Sequence, residues 1–503
     1  MNPIDTFLNK ITMYRVALYS LCILALISIV FGFLGILTFS GLHLLYSLVL
    51  IFAVCYLSNK LFALFLGVPR NAESEWITGI ILFFILTPLT TYSDILLYIV
   101  VGVLAMGSKY IFNINRKHIF NPVAISIVLL GIFGVTGFSW WVGSSVLLPV
   151  VTVLGLLTLR KTRRFTLFFS FFIPAIIVST ITGLTYGIPV LEILNSILFS
   201  GPIVFFGAVM LTEPLTTPPS LNLQVVYGGI VGVLFGLQFH IGSVYSTPQL
   251  ALILGNIFSY IVSPKIRTIL TLKDKKEIAK DTDEFVFTLE KRFPYRPGQY
   301  MEWTLGHDNM DTRGNRRYFT LSSSPTESDI RLGIKFYEQS SSFKLALGQI
   351  PTGGTIIASQ LAGNFTLPHD TTQKLVFIAG GIGVTPFRSM VKYMIDMKEK
   401  RDVVMLYSNR TMQDIAYKDI FDIAEETLDI RTVYAVTDDV PSELPPSFRK
   451  GFITADMIRA EIPDFAERQF YISGPHSMVA MFEKTLKQMG VKHIKIDFFP
   501  GFA

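Results

Sequence analysis

The sequence predicts a multi-domain protein in which a polytopic, all-α membrane domain precedes an antiparallel β-barrel and an α/β domain. Three observations support this fold class. First, 51% of the 503 residues are hydrophobic and only 16% are charged, a composition typical of membrane proteins. Second, long apolar segments fill the chain up to residue 262 and then give way to short alternating segments. Third, a glycine-rich turn, GGIGVTP, follows a buried-strand pattern from residue 380. We therefore place the domains at 1–263, 264–370 and 371–503.

Ten apolar segments of the first domain are long enough to cross a hydrocarbon core of about 30 Å. They lie approximately at 13–37, 41–58, 76–92, 94–111, 121–138, 140–159, 165–184, 188–211, 224–241 and 245–262. Ten crossings would put both termini on one side of the membrane, together with all eleven Lys and Arg residues of this domain. Clustered positive charge marks the cytoplasmic side. We therefore expect a multi-pass protein of the cell (inner) membrane whose termini and C-terminal domains are cytoplasmic.

The membrane domain contains short stretches that recur at a fixed offset, which we call the echo. The residues PLTT at 88–91 recur at 214–217, and the same offset of 126 brings Asn121-Pro122 onto Thr247-Pro248. An offset that spans five crossings inverts the second copy, so the echo predicts a 5+5 inverted repeat. In such folds, Pro-interrupted helices place polar groups near the midplane, where a solute or cofactor is held. A simpler interpretation stays open, in which Pro and Thr only end helices at the membrane interface.

Two stretches of the echo, KHIFNPVAISIVLL and GAVMLTEPLTTPP, resemble a family of flavin-carrying membrane proteins. Its members are the NqrB component of the sodium-pumping NADH:quinone reductase and the RnfD component of the Rnf complex. The resemblance implies a flavin in the membrane domain, with Asn121, Thr212 and Glu213 as candidate ligands. Glu213 stands where the family has Asp, and the loop that carries a covalently flavinylated Thr is absent from this sequence. We therefore expect a noncovalent flavin, FMN or riboflavin.

The C-terminal half shows two successive patterns. EFVFTLEKRF, GQYMEWTL, RYFTLSSSP and RLGIKFYE alternate as strands of a small antiparallel barrel do. From Lys374, strands alternate with amphipathic helices, which predicts an α/β layer with a parallel sheet. The strands of this sheet are expected within KLVFIAG, VVMLYSNR, RTVYAVT and RQFYISGP.

The turn GGIGVTP has the features of an anion-binding loop. Gly380, Gly381 and Gly383 would let the backbone approach a pyrophosphate, whose charge suits the N-terminus of a helix that begins near Thr385 and Pro386. The pattern is short of a full GxGxxG, and no acidic residue follows at the usual place. A purely structural glycine turn therefore stays an alternative for this stretch alone.

Three other stretches contain further candidate cofactor-binding residues. On the strand RRYFT, Arg317 could hold a phosphate, Phe319 could cover an isoalloxazine ring and Thr320 could bond its polar edge. Ser341, Ser342 and Lys344, at a helix start, offer a second anion site. Finally, Ser473-Gly474-Pro475 forms a strand-to-turn junction that could border a nicotinamide.

Together with PYRPGQY, which ends at Tyr300, these stretches resemble the ferredoxin–NADP reductase superfamily, in which an FAD-binding barrel precedes a nicotinamide-nucleotide domain. Phe319 stands where that family has Tyr, and Ser473 stands where it has Cys. The resemblance implies FAD and either NADH or NADPH as cofactors, and a catalytic role for Phe319, Thr320 and Ser473. The cofactor-binding residues it implies are Arg317, Tyr318, Phe319, Thr320, Lys335, Ser341, Ser342, Lys344, Gly380, Gly381, Gly383, Thr385, Pro386, Ser408, Asn409, Arg410, Ser473, Gly474, Pro475 and Phe499.

Two of these assignments leave alternatives open. Ser408 and Arg410 could hold the 2′-phosphate of NADPH, although a basic residue at a strand end is often only solvated. Phe499 or Phe502 could shield the flavin as terminal aromatics of the family do, or the C-terminus could be an ordinary packed segment.

Several functional classes are excluded by composition. The excess positive charge belongs to the membrane half, which argues against nucleic-acid binding. Cys22 and Cys55 are too few for a cysteine-ligated iron–sulfur cluster, and no metal site is expected. Haem needs paired axial histidines, but the histidines of the membrane half, His43, His118 and His240, lie near segment ends.

The function predicted from these observations is transmembrane electron transfer. Hydride would pass from cytoplasmic NADH or NADPH to FAD, and electrons would cross through the membrane flavin. The acceptor would lie at the extracytoplasmic face and be a flavinylated protein, a quinone or a small molecule. Membrane lipid is the other expected partner. Two alternatives stay open: a transporter of a small solute with a regulatory or energising reductase domain, and a membrane-tethered cytoplasmic flavin reductase.

Overall fold

The computed structural model describes residues 8, 11–66, 72–114, 117–241, 244–263, 266–307, 311, 315–438 and 443–497. The chain divides into two compact units, Asn2–Ser263 and Pro264–Phe499. The first unit is helical, and the second contains two six-stranded sheets.

The helical unit consists of α-helices joined by short turns and two small hairpins. Its helices are α1 Met13–Phe33, α2 Gly41–Phe65, α3 Ala72–Ile85, α4 Ser93–Ile111, α5 Pro122–Ile132, α6 Leu148–Thr162, α7 Phe165–Thr185, α8 Val190–Phe199, α9 Ile203–Phe205, α10 Leu221–Gly236 and α11 Pro248–Val262. A π-helical turn, Phe206–Met210, extends α9. The hairpins pair β1 Asn113–Ile114 with β2 Lys117–His118, and β3 His240–Ile241 with β4 Val244–Tyr245.

Four helices in the described part of this unit are long and apolar enough to cross a membrane. They are Met13–Phe33, Gly41–Phe65, Asp94–Ile111 and Phe165–Thr185. Val190–Phe199 and Ile203–Met210, bent by 52° at their junction, would make a fifth span if they cross as one. The prediction of an apolar helical N-terminal region is confirmed. Ten crossings and the inverted repeat are not confirmed and stay predictions.

The residues of one repeated pair, Asn121-Pro122 and Thr247-Pro248, begin a helix in both copies. The Asn121 side chain accepts hydrogen bonds from the first turn of α5, and the Thr247 side chain accepts one from the first turn of α11. Each cap is followed by Pro at the start of its helix. Asn and Thr are favoured N-caps, and Pro is favoured in the first helical turn, because the backbone N–H groups there have no partner within the helix.

Helices α7 and α10 touch along a glycine stripe. A Cβ atom on Gly228 would lie 2.1 Å from the Ser170 Oγ, and one on Gly232 would lie 2.4 Å from the Phe171 carbonyl oxygen. Small residues allow such close backbone approach between apolar helices. Aromatic rings fill the neighbouring core, where Phe206 lies 5.2 Å from Phe171 and 5.3 Å from Phe235 between ring centroids.

The second unit begins with the β-barrel domain. Its strands are β5 Arg267–Ala279, β6 Thr282–Leu289, β7 Tyr300–Thr304, β8 Arg316–Thr320, β9 Ile330–Lys335 and β10 Thr355–Ala362. They pair antiparallel in the order β8-β7-β10-β5-β6-β9. The Ser322 N–H donates to the Arg331 carbonyl at 3.0 Å and so joins the end of β8 to β9. Helix α12 Ser342–Gly348 follows β9, and Trp303 lies in the apolar interior.

The α/β domain has a six-stranded parallel sheet. Its strands are β11 Leu375–Gly380, β12 Val403–Asn409, β13 Arg431–Val436, β14 Phe448–Lys450, β15 Gln469–Ser473 and β16 Ile494–Ile496, in the order β14-β13-β12-β11-β15-β16. Its helices are α13 Thr385–Met397, α14 Lys418–Leu428, α15 Ala455–Glu461 and α16 His476–Gln488. The strand order reverses at β11, and ligands of such sheets bind at the carboxyl ends of the strands where the order reverses. The β-barrel and the α/β domain confirm the predicted fold class of this half.

Candidate functional site

Two turns meet at the carboxyl ends of β11 and β15. Ala379 and Ser473 are paired across these strands, so the turn that follows Gly380 lies beside Ser473-Gly474-Pro475. A Cβ atom on Gly383 would lie 2.5 Å from the Gly474 Cα, and one on Gly380 would lie 2.4 Å from the Met478 sulfur. Gly383 is therefore required by the packing of backbone against backbone, whereas a side chain at Gly380 would meet the flexible Met478 side chain. Close approach of these glycines to a pyrophosphate stays a prediction. Gly381 has a φ of +51° and faces open space.

Helix α13 begins where the sequence predicts. Thr385 is its first residue, Pro386 lies in its first turn, and the Thr385 hydroxyl donates to the Ile382 carbonyl at 3.2 Å. The helix has 13 residues, so its N-terminal N–H groups present a partial positive charge at the carboxyl ends of the parallel strands. Anion binding at this turn stays a prediction.

The carboxyl end of β12 adds a further part of the same edge. Ser408 is paired with Gly380. Asn409 is 6% exposed, and its side chain lies beside the buried Tyr407 hydroxyl, which also accepts from the Ala416 N–H at 3.3 Å. Arg410 is exposed. Asn409 is therefore a buried polar group at the carboxyl end of β12, and its binding of a nucleotide stays a prediction.

The strand β8 places the predicted flavin residues on two faces. Arg317 and Phe319 share one face, and both contact Phe343 of α12: the Arg317 Cζ lies 5.5 Å from its ring centroid, and the Phe319 centroid lies 5.9 Å from it. Tyr318 faces the other way and donates from its hydroxyl to the Glu302 carboxylate at 3.0 Å. Thr320 is 4% exposed. Sequence analysis missed Phe343, because only folding brings α12 against β8.

The two anion sites predicted for the barrel, at Arg317 and at the start of α12, lie next to each other. The Ser342 N–H donates to one Asp311 carboxylate oxygen at 3.0 Å, and the Arg317 guanidinium lies 3.6 Å from the other. The Ser341 hydroxyl accepts from the Lys344 N–H at 3.3 Å and caps α12. We interpret the Asp311 carboxylate as a stand-in for the oxygens of a phosphate; the residues present here fit the pyrophosphate of FAD, and its binding at this position stays a prediction.

The two predicted lysines have partners within the protein. The Lys335 ammonium forms an ion pair with Asp414 at 2.7 Å, which joins the barrel to the α/β domain. The Lys344 ammonium donates to the Lys335 carbonyl at 2.8 Å and lies 5.1 Å from the Tyr337 ring centroid. Their assignment to cofactor binding stays a prediction.

Ser473 has a partner that sequence analysis missed. Its hydroxyl donates to the Asp497 carboxylate at 2.9 Å, and the Asp497 N–H continues the ladder by donating to the Ile472 carbonyl at 2.9 Å. Burial raises the pKa of Asp497 to about 7, and the Ser473 hydrogen bond partly opposes that rise. The sequence did contain a signal for this partner, because Asp497 is an acidic residue directly after the edge strand β16. Phe499, the predicted flavin shield, lies outside the described residues, as does Phe502.

In the helical unit, the structure brings Asn121 and Glu213 together. The Asn121 side-chain amide donates to the Glu213 carboxylate at 2.9 Å, and the Asn121 backbone N–H donates to the Asn256 side chain at 2.9 Å. The Thr212 hydroxyl instead donates to the Ala208 carbonyl, at 2.7 Å. The residues assigned to a membrane flavin therefore lie close together, with Asn256 as a partner that the sequence did not reveal.

Comparison with known proteins identifies the C-terminal half. Residues 377–484 match the family described as the oxidoreductase NAD-binding domain. The C-terminal half is similar to the reductase modules of the following proteins. A flavohemoprotein of Bacillus cereus (strain ATCC 10987 / NRS 248) is 28% identical over 213 residues, which are 40% of this chain and 52% of that protein. The NADH oxidoreductase HCR of Escherichia coli (strain K12) is 27% identical over 213 residues, 42% of this chain and 62% of that protein. The chain thus spans little more than half the length of these relatives.

Among solved structures, 46% of this chain is similar to a domain of nitric oxide dioxygenase from Vibrio cholerae O1 biovar El Tor. That domain is described as a flavohem-like FAD/NAD-binding domain. The match covers 98% of that domain, with a TM-score of 0.41 and 17% identity.

The family and its relatives confirm the predicted NAD(P)H-dependent, FAD-containing oxidoreductase module. The family match does not extend into the helical half, whose resemblance to the NqrB and RnfD proteins stays a prediction.

Proposed function

We propose that the protein is a transmembrane oxidoreductase. It takes hydride from cytoplasmic NADH or NADPH to FAD in the barrel. Electrons then pass through a noncovalent flavin in the helical unit to an acceptor at the extracytoplasmic face. The reductase module is the part that the family match supports, and the membrane step rests on the helical unit.

The observation that carries the reductase step is the carboxylate held between Arg317 and the N–H of Ser342. Guanidinium and backbone N–H groups bind phosphate by charge-assisted hydrogen bonds, so the same two groups would hold the FAD pyrophosphate. Phe319 would cover the isoalloxazine ring. The buried Asn409 amide and the N-terminus of α13 would hold the nicotinamide nucleotide. FAD, when bound, supplies acceptance of two electrons as hydride and their release one at a time.

The membrane step is supported by buried polar residues in the helical unit. Glu213 also accepts from the Thr216 hydroxyl at 3.2 Å, in addition to Asn121. An ionisable side chain among apolar helices is expensive and usually functional. A single cytoplasmic flavin cannot deliver electrons across about 30 Å of hydrocarbon. The Asn121–Glu213 region is therefore the proposed place of the second flavin, either FMN or riboflavin.

A second candidate, the membrane-tethered reductase, is favoured by a different observation. The polar groups of Asn121, Glu213 and Asn256 hydrogen-bond to one another, and Asn256 donates to the Tyr227 hydroxyl at 3.1 Å. Aromatic rings fill the neighbouring core. In this function the helices only anchor the module, and electrons leave on the cytoplasmic face.

Proteoliposomes with the reductase module outside and ferricyanide trapped inside separate these functions. NADH or NADPH added outside should reduce the trapped ferricyanide, and Glu213→Gln should slow that reaction while leaving the reduction of external ferricyanide unchanged. Reduction outside only would establish the tethered reductase. Solute flux without reduction of the trapped acceptor would instead indicate a transporter.

A flavin count gives an independent test. We expect extraction to yield FAD together with FMN or riboflavin from each chain, and the absorption spectrum to show no haem bands. FAD alone would remove the proposed route through the membrane.

A further inference from the structure

The segment that follows strand β8 is in contact with helix α13. Residues 322–327 come soon after β8, which carries the predicted flavin residues Arg317, Phe319 and Thr320. Helix α13 begins at Thr385, in the turn GGIGVTP. The segment and the helix belong to the same compact unit of the chain. Their contact therefore connects the barrel half of the proposed reductase site to its dinucleotide half.

An ion pair joins the segment to the helix. Arg388 of α13 donates to both carboxylate oxygens of Glu327, to one of them at 2.9 Å. Arg388 also donates to the Ser322 carbonyl at 3.0 Å. The Arg388 and Glu327 side chains are 5% and 13% exposed. We call Arg388 and Glu327 the interdomain ion pair. Because an arginine that binds both oxygens of a carboxylate fixes its orientation as well as its distance, this pair restricts how the two domains are arranged.

The Glu327 carboxylate is also held from the barrel side. The Ser324 N–H donates to one of its oxygens at 2.7 Å, and Arg331 of β9 pairs with the other at 3.1 Å. Each oxygen therefore has a donor from the barrel as well as a donor from Arg388. The carboxylate is a fixed point on the barrel to which the first turn of α13 is attached.

A second contact lies next to the ion pair. The Ser389 hydroxyl donates to the Ser323 carbonyl at 2.6 Å, and both serines are fully buried. The same carbonyl accepts from the Tyr295 hydroxyl at 3.1 Å. Arg388 and Ser389, which are consecutive on α13, thus bind the consecutive carbonyls of Ser322 and Ser323. Two adjacent contacts of this kind set the register of the helix against the segment.

The charge of the pair points to positioning rather than to stability. A buried ion pair adds little net stability, because the desolvation of both charges offsets their attraction. Its geometry is nevertheless directional. Arg388 lies three residues after Thr385, and Glu327 lies seven residues after Thr320, so the pair acts close to both parts of the proposed reductase site.

We propose that Glu327, Arg388 and Ser389 are positioning residues that set the distance between strand β8 and the turn GGIGVTP, and so the rate of hydride transfer. They act through these two elements and not by contact with the reacting atoms. The proposal rests on the proposed function, in which hydride carries both electrons from NADH or NADPH to FAD. A displacement near 1 Å lowers such a rate by up to about 100-fold.

Glu327→Gln tests the proposal, because it keeps the size of the side chain and removes its charge. Glu461→Gln is the matched control. The Glu461 carboxylate is 11% exposed and also accepts from two arginines, Arg431 at 2.6 Å and Arg449 at 2.7 Å. All three control residues belong to the α/β domain, so this substitution leaves the interdomain ion pair in place.

Stopped-flow reduction of the FAD-loaded full chain separates positioning from binding. In Glu327→Gln, the rate at saturating NADH or NADPH should fall about tenfold, while the FAD content and the half-saturating nucleotide concentration stay within about twofold of the wild-type values. Glu461→Gln should match the wild-type protein. An unchanged rate in Glu327→Gln would overturn the proposal. If Glu327→Gln fails to hold FAD, Ser389→Ala, which leaves every charge in place, should lower the rate about threefold, and an unchanged rate there is equally decisive against the proposal.

The distance between the domains can be measured in the flavin-free full chain by pulsed electron paramagnetic resonance. Spin labels would be attached at Lys276→Cys in β5 and Lys487→Cys in α16, where the native side chains are 62% and 63% exposed. Cys22 and Cys55, which are not in a disulfide, would be replaced by alanine. The labels then report on the barrel and on the α/β domain without any turnover.

We expect a narrow distance distribution in the wild-type protein and in Glu461→Gln, and a distribution roughly twice as broad in Glu327→Gln, because the domains can then move about their connection. Equal widths in all three proteins would contradict the proposal. If the wild-type protein fails to oxidise NADH and NADPH, the proposed function is wrong and the kinetic role falls with it. The label distances decide separately whether the interdomain ion pair fixes the two domains.

Discussion

The pair formed by Ser473 and Asp497 leads to a pH-dependent prediction. The substitution Asp497→Asn keeps an acceptor for the Ser473 hydrogen bond but removes the titratable proton. Burial raises the pKa of Asp497 from 3.8 to about 7 in the folded protein. The folded state therefore binds more protons than the unfolded state between these two values, and the stability of the wild-type protein falls as the pH rises through this window. Asp497→Asn removes that loss.

The magnitude follows from the pKa difference. A pKa difference of about three units lowers the free energy of unfolding by at most about 4 kcal/mol, a loss that is complete above pH 7. Less than half of this loss is present at pH 5. The free energy by which Asp497→Asn stabilises the protein should therefore increase by about 2 to 3 kcal/mol between pH 5 and pH 8. For a unit of this size, that corresponds to roughly 5 to 10 °C in Tm.

Calorimetry of the detergent-solubilised full chain at pH 5 and pH 8 measures this difference. Asp456→Asn is the control, because the Asp456 side chain is 91% exposed and should change stability little at either pH. The reasoning fails if Asp497→Asn shifts Tm equally at both pH values, because the carboxyl would then not be desolvated as its position beside Ser473 implies.

Three further substitutions test the site. Arg317→Leu should weaken FAD binding by about 100-fold, measured by calorimetric titration of flavin-free protein, because it removes a charge-assisted phosphate contact. Asp311→Asn should tighten FAD binding by about tenfold in the same titration, since it removes the carboxylate that competes with the phosphate; weaker binding would contradict the stand-in interpretation. Gly383→Ala should destabilise the α/β domain by roughly 3 kcal/mol in thermal unfolding, because its Cβ would meet the Gly474 Cα at 2.5 Å. Gly381→Ala, which faces open space but has a positive φ, should cost only about 1 kcal/mol.

Local patterns were sufficient for much of the C-terminal half. Strands β6 to β9 were recognised because their alternation with period two is visible in the sequence. Strand β5, RTILTLKDKKEIA, was missed, because its charged residues obscure the alternation although the strand lies inside the sheet. Strand β10 was also missed. In the helical half, hydropathy located the helices, and four of the described helices reach the length and apolar character of a span, so the ten crossings stay a prediction.

The sequence by itself determined which segments form the two C-terminal domains and which of the predicted site residues share a face. Arg317 and Phe319 are two residues apart, so the pleat of a strand puts them on one face wherever that strand lies. Only the tertiary structure decided which groups meet: Asp311 at Arg317 and Asp497 at Ser473. The physical reason is that periodicity is a local property of the backbone. Desolvation and hydrogen-bond partners depend instead on segments far apart in the chain, which pack together only in the folded protein.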